Sequence, residues 1–217
     1  MHQHQLLTFM SRSNFLGTSV DSKTERFTAE GYGELYSFMS PRPQRRLTDT
    51  ELKYLKQHYV TVYSIPNPSP AFVDMDCNVQ IWYRCRVDKT VYHCSNYQRR
   101  NSTRLNHLVC LEQTVDANAN FSYRVRPERM VPREFYAYVH FYCVHTFRGN
   151  PHMLMYSSYR RVAFHDGLVE DLGHQHDGFQ DVRILQHLCA RVTGYGGKVY
   201  FVDAPDVIEG RLREALL

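Results

Sequence analysis

The sequence predicts a mainly β protein of the α+β class, built as a small curled antiparallel sheet or barrel with one helix before it and one after it. Three observations support this prediction. The 217 residues include 16 tyrosines and 12 phenylalanines, an aromatic enrichment typical of strands. Several short segments alternate apolar and polar residues between turn signals. Two other segments carry apolar residues at helical spacing.

Two segments precede the predicted β-rich domain. Residues 1–30 are rich in Ser, Thr and Gln and lack periodicity, so we expect them to be disordered or loosely packed. Residues 31–70 contain a helix, because Thr48 and Glu51 fit a capping box, and a proline-rich connector follows it. The apolar residues of this helix recur at helical spacing: Leu52, Leu55 and Tyr59. The β-rich domain then spans residues 71–217.

The β-rich domain begins with a predicted hairpin. The segment VQIWYRCRV (79–87) alternates, and TVYHCSNY (90–97) is its partner across a tight turn of either two residues, Asp88 and Lys89, or three, Asp88 to Thr90. Further strands are predicted at 104–115, 121–126, 134–147, 152–164, 181–192 and 198–203. A C-terminal helix follows, with Asp203 as its N-cap and Pro205 in its first turn. Its apolar stripe consists of Val207, Ile208, Leu212 and Leu216.

Basic side chains are concentrated on the predicted hairpin and the linker after it. Residues 76–133 contain ten Arg or Lys against five Asp or Glu, whereas residues 164–217 contain five against nine. The cations of the hairpin region are Arg84, Arg86, Lys89, Arg99, Arg100 and Arg104, and aromatic residues lie among them. This mixture suits contacts to phosphates together with base stacking, for which Trp82 and Tyr97 are the candidates.

The basic cluster has a plainer interpretation as well. Arg and Lys are common on solvated sheet faces, where they guard edges against unwanted pairing. Four more arginines extend the basic surface if their strands neighbour the first hairpin: Arg124, Arg126, Arg129 and Arg133.

Cysteine and histidine residues in the same region raise the question of a metal site or a disulfide. Zinc sites pair ligands two to four residues apart, but Cys85 and Cys94 stand nine apart, and His93 and Cys94 point to opposite faces of a strand. We therefore expect buried free thiols and no cofactor or metal. A cross-strand Cys85–Cys94 disulfide is compatible with one hairpin register only.

A second group of acids and histidines lies at residues 165–181. It contains His165, Asp166, Glu170, Asp171, His174, His176, Asp177 and Asp181. So many carboxylates and imidazoles within one segment are typical of a metal-binding loop. An alternative function is therefore that of a metal-dependent enzyme that uses this loop. Three glycines favour a solvated turn region instead. Phosphate-loop, GxSxG and HExxH motifs are all missing, and the Ser157–Ser158 and Cys143–His145 pairs have no specific context, so we predict no enzymatic activity.

The compartment follows from the first residues and the thiols. The opening segment lacks the apolar run of a signal peptide, and no apolar run approaches 18 residues, so we expect neither export nor a membrane association. An intracellular protein with reduced cysteines is expected, located in the nucleus if it contacts DNA.

The order of several segments resembles a known family. The short hairpin and basic linker are followed by an apolar strand containing residues 138–142, then residues 153–159, a GLV turn at 167–169 and a closing strand at 198–203. This order is similar to the strand-rich C-terminal domain of unknown function in transposases of CACTA-type and related fungal elements. The similarity extends over residues 70–205. At the level of fold alone, a small barrel with a helix also looks like the SH3-like and BAH modules that read chromatin.

The resemblance implies a non-catalytic, transposon-derived module. In such transposases the DNA-cutting acidic triad lies in a ribonuclease-H-like domain upstream, and no catalytic residues are assigned to the strand-rich domain. Expected partners are nucleic acid, DNA in preference to RNA, or a chromatin protein, contacted through the basic hairpin. The alternative is a protein–protein or self-assembly domain, such as a homodimer or a subunit of a larger transposase complex.

Overall fold

The computed structural model describes residues 26–66, 69–97, 107–118, 128–165 and 168–203. Its strands join one antiparallel sheet that includes a closed six-stranded barrel, which confirms the predicted mainly β class. The strands are β1 (Arg26–Phe27), β2 (Tyr36–Pro41), β3 (Arg45–Arg46), β4 (Asn78–Val87), β5 (Thr90–His93), β6 (Leu108–Asp116), β7 (Met130–Phe147), β8 (Asn150–His165), β9 (Leu168–Asp181), β10 (Leu185–Thr193) and β11 (Val199–Asp203). The helix α1 spans Asp49–Tyr63, and single 3-10 turns lie at Pro70–Phe72, Val182–Ile184 and Tyr195–Gly197.

The barrel closes through its two longest strands. Its order is β7, β6, β10, β11, β9, β8, and β8 pairs with β7 again. A two-residue turn joins β7 to β8, and its residues Arg148 and Gly149 both have positive φ, at 52° and 79°. Two positive φ angles are the requirement of the type I′ turn, whose twist matches that of the flanking strands. Gly149 meets this requirement without the steric cost of a side chain.

The remaining strands continue the sheet from the far half of β7. Ile81 of β4 pairs with Cys143 of β7, and Phe38 of β2 pairs with Cys85 of β4. The boundary predicted near residue 70 is therefore not a boundary in the sheet, because strands before it and after it belong together. Residues 26–30 also differ from the predicted loose segment, since β1 pairs with β2 and Ala29 is buried.

The core has two main clusters that lie on either side of this extended sheet. The larger one joins β2, β4 and β5 to the barrel strands and includes Phe38, Trp82, Tyr92 and Tyr142. The second lies beneath α1, where Leu55 and Tyr59 are fully buried. Among the described residues, no helix is long and apolar enough to cross a membrane.

Helix α1 begins as the sequence predicts. The Thr48 hydroxyl accepts a hydrogen bond from the Glu51 amide at 3.2 Å, and the Glu51 carboxylate accepts one from the Thr48 amide at 2.8 Å. Arg45 donates to both oxygens of Glu51 as well. The helix ends at Ser64, which has a left-handed φ of 50°.

Replacing Thr48 with Ala is expected to lower the free energy of unfolding by about 1 kcal/mol, since N-cap losses cost roughly 0.5–2 kcal/mol. Urea denaturation measures this change, and Thr50→Ala at the neighbouring exposed position is the control, expected to stay within about 0.5 kcal/mol. Equal destabilisation by both substitutions would contradict a capping role for Thr48.

The His- and Asp-rich segment is a strand, which corrects the predicted solvated turn region. Residues 168–181 form β9 and pair along their whole length with residues 154–165 of β8. Its glycines mark a bulge and a close contact instead of a turn: Gly173 has a φ of 112° beside a register shift, and Gly178 lies near the ring of Tyr159. The strand predicted at 121–126 and the C-terminal helix at 204–217 lie outside the described residues.

Candidate nucleic-acid interface

The predicted basic hairpin is present, and its turn is the shorter of the two alternatives. Strands β4 and β5 pair through Val87 and Thr90, so Asp88 and Lys89 form the two-residue turn, and Asp88 has a positive φ of 51°. Lys89 is exposed at the tip of the hairpin, while Arg84 and Arg86 are partly exposed on β4. The structure thus brings these three predicted cations onto one strand and its turn.

Two guanidinium groups of this region lie over tyrosine rings. Arg42 lies 4.4 Å from the ring centroid of Tyr83, and Arg84 lies 5.4 Å from that of Tyr97. The two rings contact each other edge to face, with centroids 6.5 Å apart. Arg84 also donates to the hydroxyl of Ser40 at 2.8 Å. The four side chains Arg42, Tyr83, Tyr97 and Arg84 therefore form one continuous row.

Strand β1 adds a further cation. Arg26 pairs with Met39, which pairs in turn with Arg84, so these residues share one row across three strands. We call the set of Arg26, Arg42, Tyr83, Arg84, Arg86, Lys89 and Tyr97 the arginine–tyrosine surface. The sequence interpretation missed Arg26 and Arg42 because they lie about 40 to 60 residues before the hairpin. Only the folding of the chain brings Arg26 into the row of Arg84 and Arg42 over the ring of Tyr83.

The pairing of charges differs between this surface and four cations of the C-terminal half. Those four contact carboxylates: Arg160 and Arg191 contact Asp171, Arg183 contacts Asp181, and Lys198 contacts Glu170. Within the described ranges, no carboxylate forms an ion pair with Arg26, Arg42, Arg86 or Lys89. Arg86 donates to the backbone carbonyl of Glu34, and its Nε is buried without a partner. Positive charge is thus left for an outside partner.

The other residues predicted for the interface are either buried, outside the described residues, or partly exposed beside the hairpin. Trp82 is only 4% exposed and packs between Phe27 and Phe38, so its ring is not a stacking platform on the surface. Arg99, Arg100 and Arg104 lie outside the described residues, as do Arg124 and Arg126. Tyr97 is partly exposed and keeps its predicted position beside the hairpin.

Arg129 and Arg133 do not extend the surface. β4 pairs with β7 at residues 142–144, whereas Arg133 lies nine residues earlier on β7 and pairs with Gln113 of β6. At roughly 3.3 Å per residue, this separation is about 30 Å along the strand. Arg133 therefore lies away from the basic hairpin, and the condition under which it would extend the basic surface is not met.

The cysteines are packing residues, as predicted. Tyr92 lies opposite Cys85, which excludes the Cys85–Cys94 disulfide register, and all six thiols are free. Burial raises the pKa of the Cys94 thiol to about 11 and that of Cys85 further. Among the described residues, no group of three or more His, Cys, Asp or Glu side chains is placed to hold a metal ion.

The polar residues of β9 form a hydrogen-bonded chain with β7 and β8. Ser158 donates to Asp177 at 2.5 Å and accepts from Nε2 of His140 at 2.6 Å, and His174 lies 3.0 Å from the same carboxylate. Burial alone would raise the pKa of Asp177, but the hydrogen bonds from Ser158 and His174 outweigh it and lower the pKa. Burial lowers the pKa of His140. In a catalytic triad the histidine lies between the serine and the acid, which holds its ring in place. Here Ser158 lies between His140 and Asp177, so Asp177 does not orient His140 as a general base.

The two nucleophile pairs noted in the sequence have no catalytic arrangement either. Ser157 is fully buried, and Cys143 is fully buried with a pKa raised by that burial. His145 is occupied on both ring nitrogens, since Nε2 donates to the carbonyl of Asp76 at 2.9 Å and Nδ1 accepts from Tyr59 at 2.8 Å.

No family model, no curated protein and no solved structure matches this chain. The resemblance of residues 70–205 to a transposase domain therefore stays a prediction. Function has to be inferred from the side chains of the arginine–tyrosine surface and their surroundings.

Proposed function

We propose that this protein is a non-catalytic module that binds nucleic acid through the arginine–tyrosine surface. The observation that carries the proposal is a row in which the guanidinium groups of Arg42 and Arg84 lie over tyrosine rings. Arg42 and the neighbouring Arg26, Arg86 and Lys89 form no ion pair with a carboxylate of the described residues. A stacked guanidinium keeps its edge N–H groups for phosphate oxygens. The half-exposed tyrosine rings offer faces for unpaired bases.

Single-stranded DNA is the substrate class that suits this surface best. Aromatic stacking requires unstacked bases, and a flat row on a sheet follows an extended strand more readily than it enters the groove of a duplex. Such a module would suit a non-catalytic subunit of a transposase, in line with the resemblance in the sequence. Glu34 and Asp88 at the rim limit the charge, so moderate affinity with a clear salt dependence is expected.

Charge reversal at Lys89 tests the proposal. Lys89→Glu is expected to weaken binding of a fluorescent 20-nucleotide single strand, and to reduce the slope of log K against log salt by about 0.7 to 1, the value of one phosphate contact. Fluorescence anisotropy between about 50 and 200 mM salt gives both quantities. Lys53→Glu on exposed α1 makes the same charge change away from the surface and is the matched control.

Further variants separate stacking from charge. Tyr97→Ala should weaken binding with little change in salt slope, and the double variant Arg99→Glu/Arg100→Glu should weaken it steeply if the linker contributes phosphate contacts. Lack of any binding near 50 mM salt, together with a stable dimer in light scattering, would contradict the proposal and favour the self-assembly alternative.

A further inference from the structure

A small cavity lies beside the arginine–tyrosine surface. Its volume is about 290 Å³, and its walls come from β1, β4, the end of β7 and the segments before β3 and β4. This volume is at the lower end of the roughly 300–1,000 Å³ range of small-molecule pockets. A single ring system therefore fits, and an extended ligand does not. The residues that matter for recognition are Phe27, Gln44, Asp76, Asn78, Gln80 and Trp82.

An aromatic wall forms one side of the cavity. Phe27 is 36% exposed, and its ring centroid lies 5.7 Å from that of Trp82 at an interplanar angle of 31°. Trp82 itself is held from behind by Phe38, at 6.1 Å. Phe27 thus has one face supported by a fixed indole and one face left for a planar ligand, which is the arrangement of a stacking platform.

Two hydrogen-bond acceptors lie on the polar side of the cavity, at Asp76 and Gln80. The amide nitrogen of Gln80 is occupied, since it donates to the carbonyls of Arg42 and Ile81. Asp76 accepts the backbone and side-chain N–H groups of Asn78 through Oδ1 alone, at 2.8 and 3.1 Å. Within the part of the chain that the structure describes, Oδ2 of Asp76 and Oε1 of Gln80 have no hydrogen-bond partner. A ligand with amino groups satisfies both oxygens.

A backbone contact connects the cavity to the arginine–tyrosine surface. Gln80 lines the cavity and contacts the backbone of Arg42, whose guanidinium lies over the ring of Tyr83. Arg26 precedes Phe27 on β1, and Gln80 donates to the backbone of Arg42. The cavity that suits one planar, amino-bearing ring therefore lies next to the backbone of Arg42, a residue of the arginine–tyrosine surface.

We infer that the cavity takes one nucleobase splayed out of the bound strand, and that it selects bases with an exocyclic amino group over thymine. This inference rests on the proposed function and adds base selection to it. Sequence preference in single-strand binding commonly comes from such extruded bases, which stack on an aromatic ring and expose their Watson–Crick edge. The phosphate contacts of the arginine–tyrosine surface would remain independent of sequence.

Oligothymidine strands with one altered central position test the inference. Wild-type protein should bind a strand with a single deoxyadenosine or deoxycytidine there roughly tenfold more tightly than a strand with an abasic site, the range that base–aromatic stacking provides. Asp76→Asn replaces the unpaired acceptor with a donor and keeps Oδ1, so it should reduce the preference for amino-bearing bases over thymidine.

Phe27→Ala should abolish the preference for any base over the abasic site, and Phe27→Tyr should retain it.

The outcomes distinguish the two proposals. Tight binding of every strand with no discrimination at the central position overturns base insertion and leaves the proposed function intact. Failure to bind any strand overturns both. Thermal melting of each variant shows whether it is folded. If Phe27→Ala melts at a lower temperature than wild type, the base preference of Asp76→Asn decides the test, because Asp76 is exposed.

Discussion

Replacing Tyr59 with Ala is expected to lower the free energy of unfolding by about 3–5 kcal/mol, the cost of removing a large aromatic side chain from a core. Tyr59 is fully buried under α1 and stacks on Phe147 with ring centroids 4.1 Å apart and an interplanar angle of 9°. The side chain also contacts His145, His152 and Tyr63. Together with the fully buried Leu55, it attaches α1 to the sheet.

The hydroxyl of Tyr59 has a separate effect that Tyr59→Phe isolates. This variant keeps the ring but leaves Nδ1 of His145 without its donor in a buried site, which costs roughly 1–3 kcal/mol. Urea denaturation of both variants measures the two contributions. Lys53→Ala on the exposed face of the same helix is the control, expected within about 0.5 kcal/mol of wild type. A loss below 1 kcal/mol in Tyr59→Ala would show that α1 is not attached in this way.

Mild acid is expected to destabilise the fold through the histidines near α1. The pKa of His58 is lowered from its usual 6.5 to about 4. Burial is the main cause, and repulsion from His152 is the second. Burial also lowers the pKa of His145 and that of His152. Between pH 6.5 and 4 the unfolded chain therefore binds more protons than the folded protein, so stability falls as the pH falls.

The size of this effect follows from the shift at His58. Each pH unit in this window costs about 1.4 kcal/mol for one histidine, and the whole shift corresponds to about 3 kcal/mol. Asp181 interacts with His58 and partly opposes the shift. The pKa of Asp181 is lowered, despite the opposing effect of its burial, by hydrogen bonds from Arg183 and Tyr32, so its contribution is lost only below about pH 4.

Urea denaturation at pH 7, 5.5 and 4.5 measures the dependence, and His58→Gln provides the comparison. Glutamine keeps an N–H donor but does not titrate, so the variant should lose a large part of the slope between pH 6.5 and 4. A slope equal to that of wild type would show that His58 is not the group responsible. Retained stability of the wild type down to pH 4.5 would contradict the burial of all three histidines.

Local sequence patterns predicted the elements that depend on neighbours along the chain. The capping box at Thr48, the helix that follows, the two-residue turn at Asp88 and Lys89, and the long β7–β8 hairpin all form as predicted. Each of them depends on contacts within a few residues, where dihedral preference and periodicity are informative. The mainly β class followed in the same way from alternation and aromatic content.

Pairing between distant strands decided the features that the sequence did not predict. The sequence of β9 is rich in His, Asp and Gly, a composition typical of a polar loop. Pairing with β8 nevertheless makes this segment a strand. Trp82 alternates with arginines on β4, yet β1 and β2 cover it and bury it. In both cases, a partner from elsewhere in the chain supplies the hydrogen bonds or the apolar cover, and period-two patterns carry no information about that partner.

The sequence by itself determined that the protein is mainly β, that a capped helix precedes most of its strands, and that cations and tyrosines are concentrated on one hairpin. Only the tertiary structure placed Arg26 and Arg42 beside that hairpin, left them without an ion pair to any carboxylate of the described residues, and formed the cavity between Phe27 and Gln80. The physical reason is that charge neutralisation and cavity shape depend on which strands become neighbours. That choice is made by long-range hydrogen bonding and burial, which no local pattern specifies.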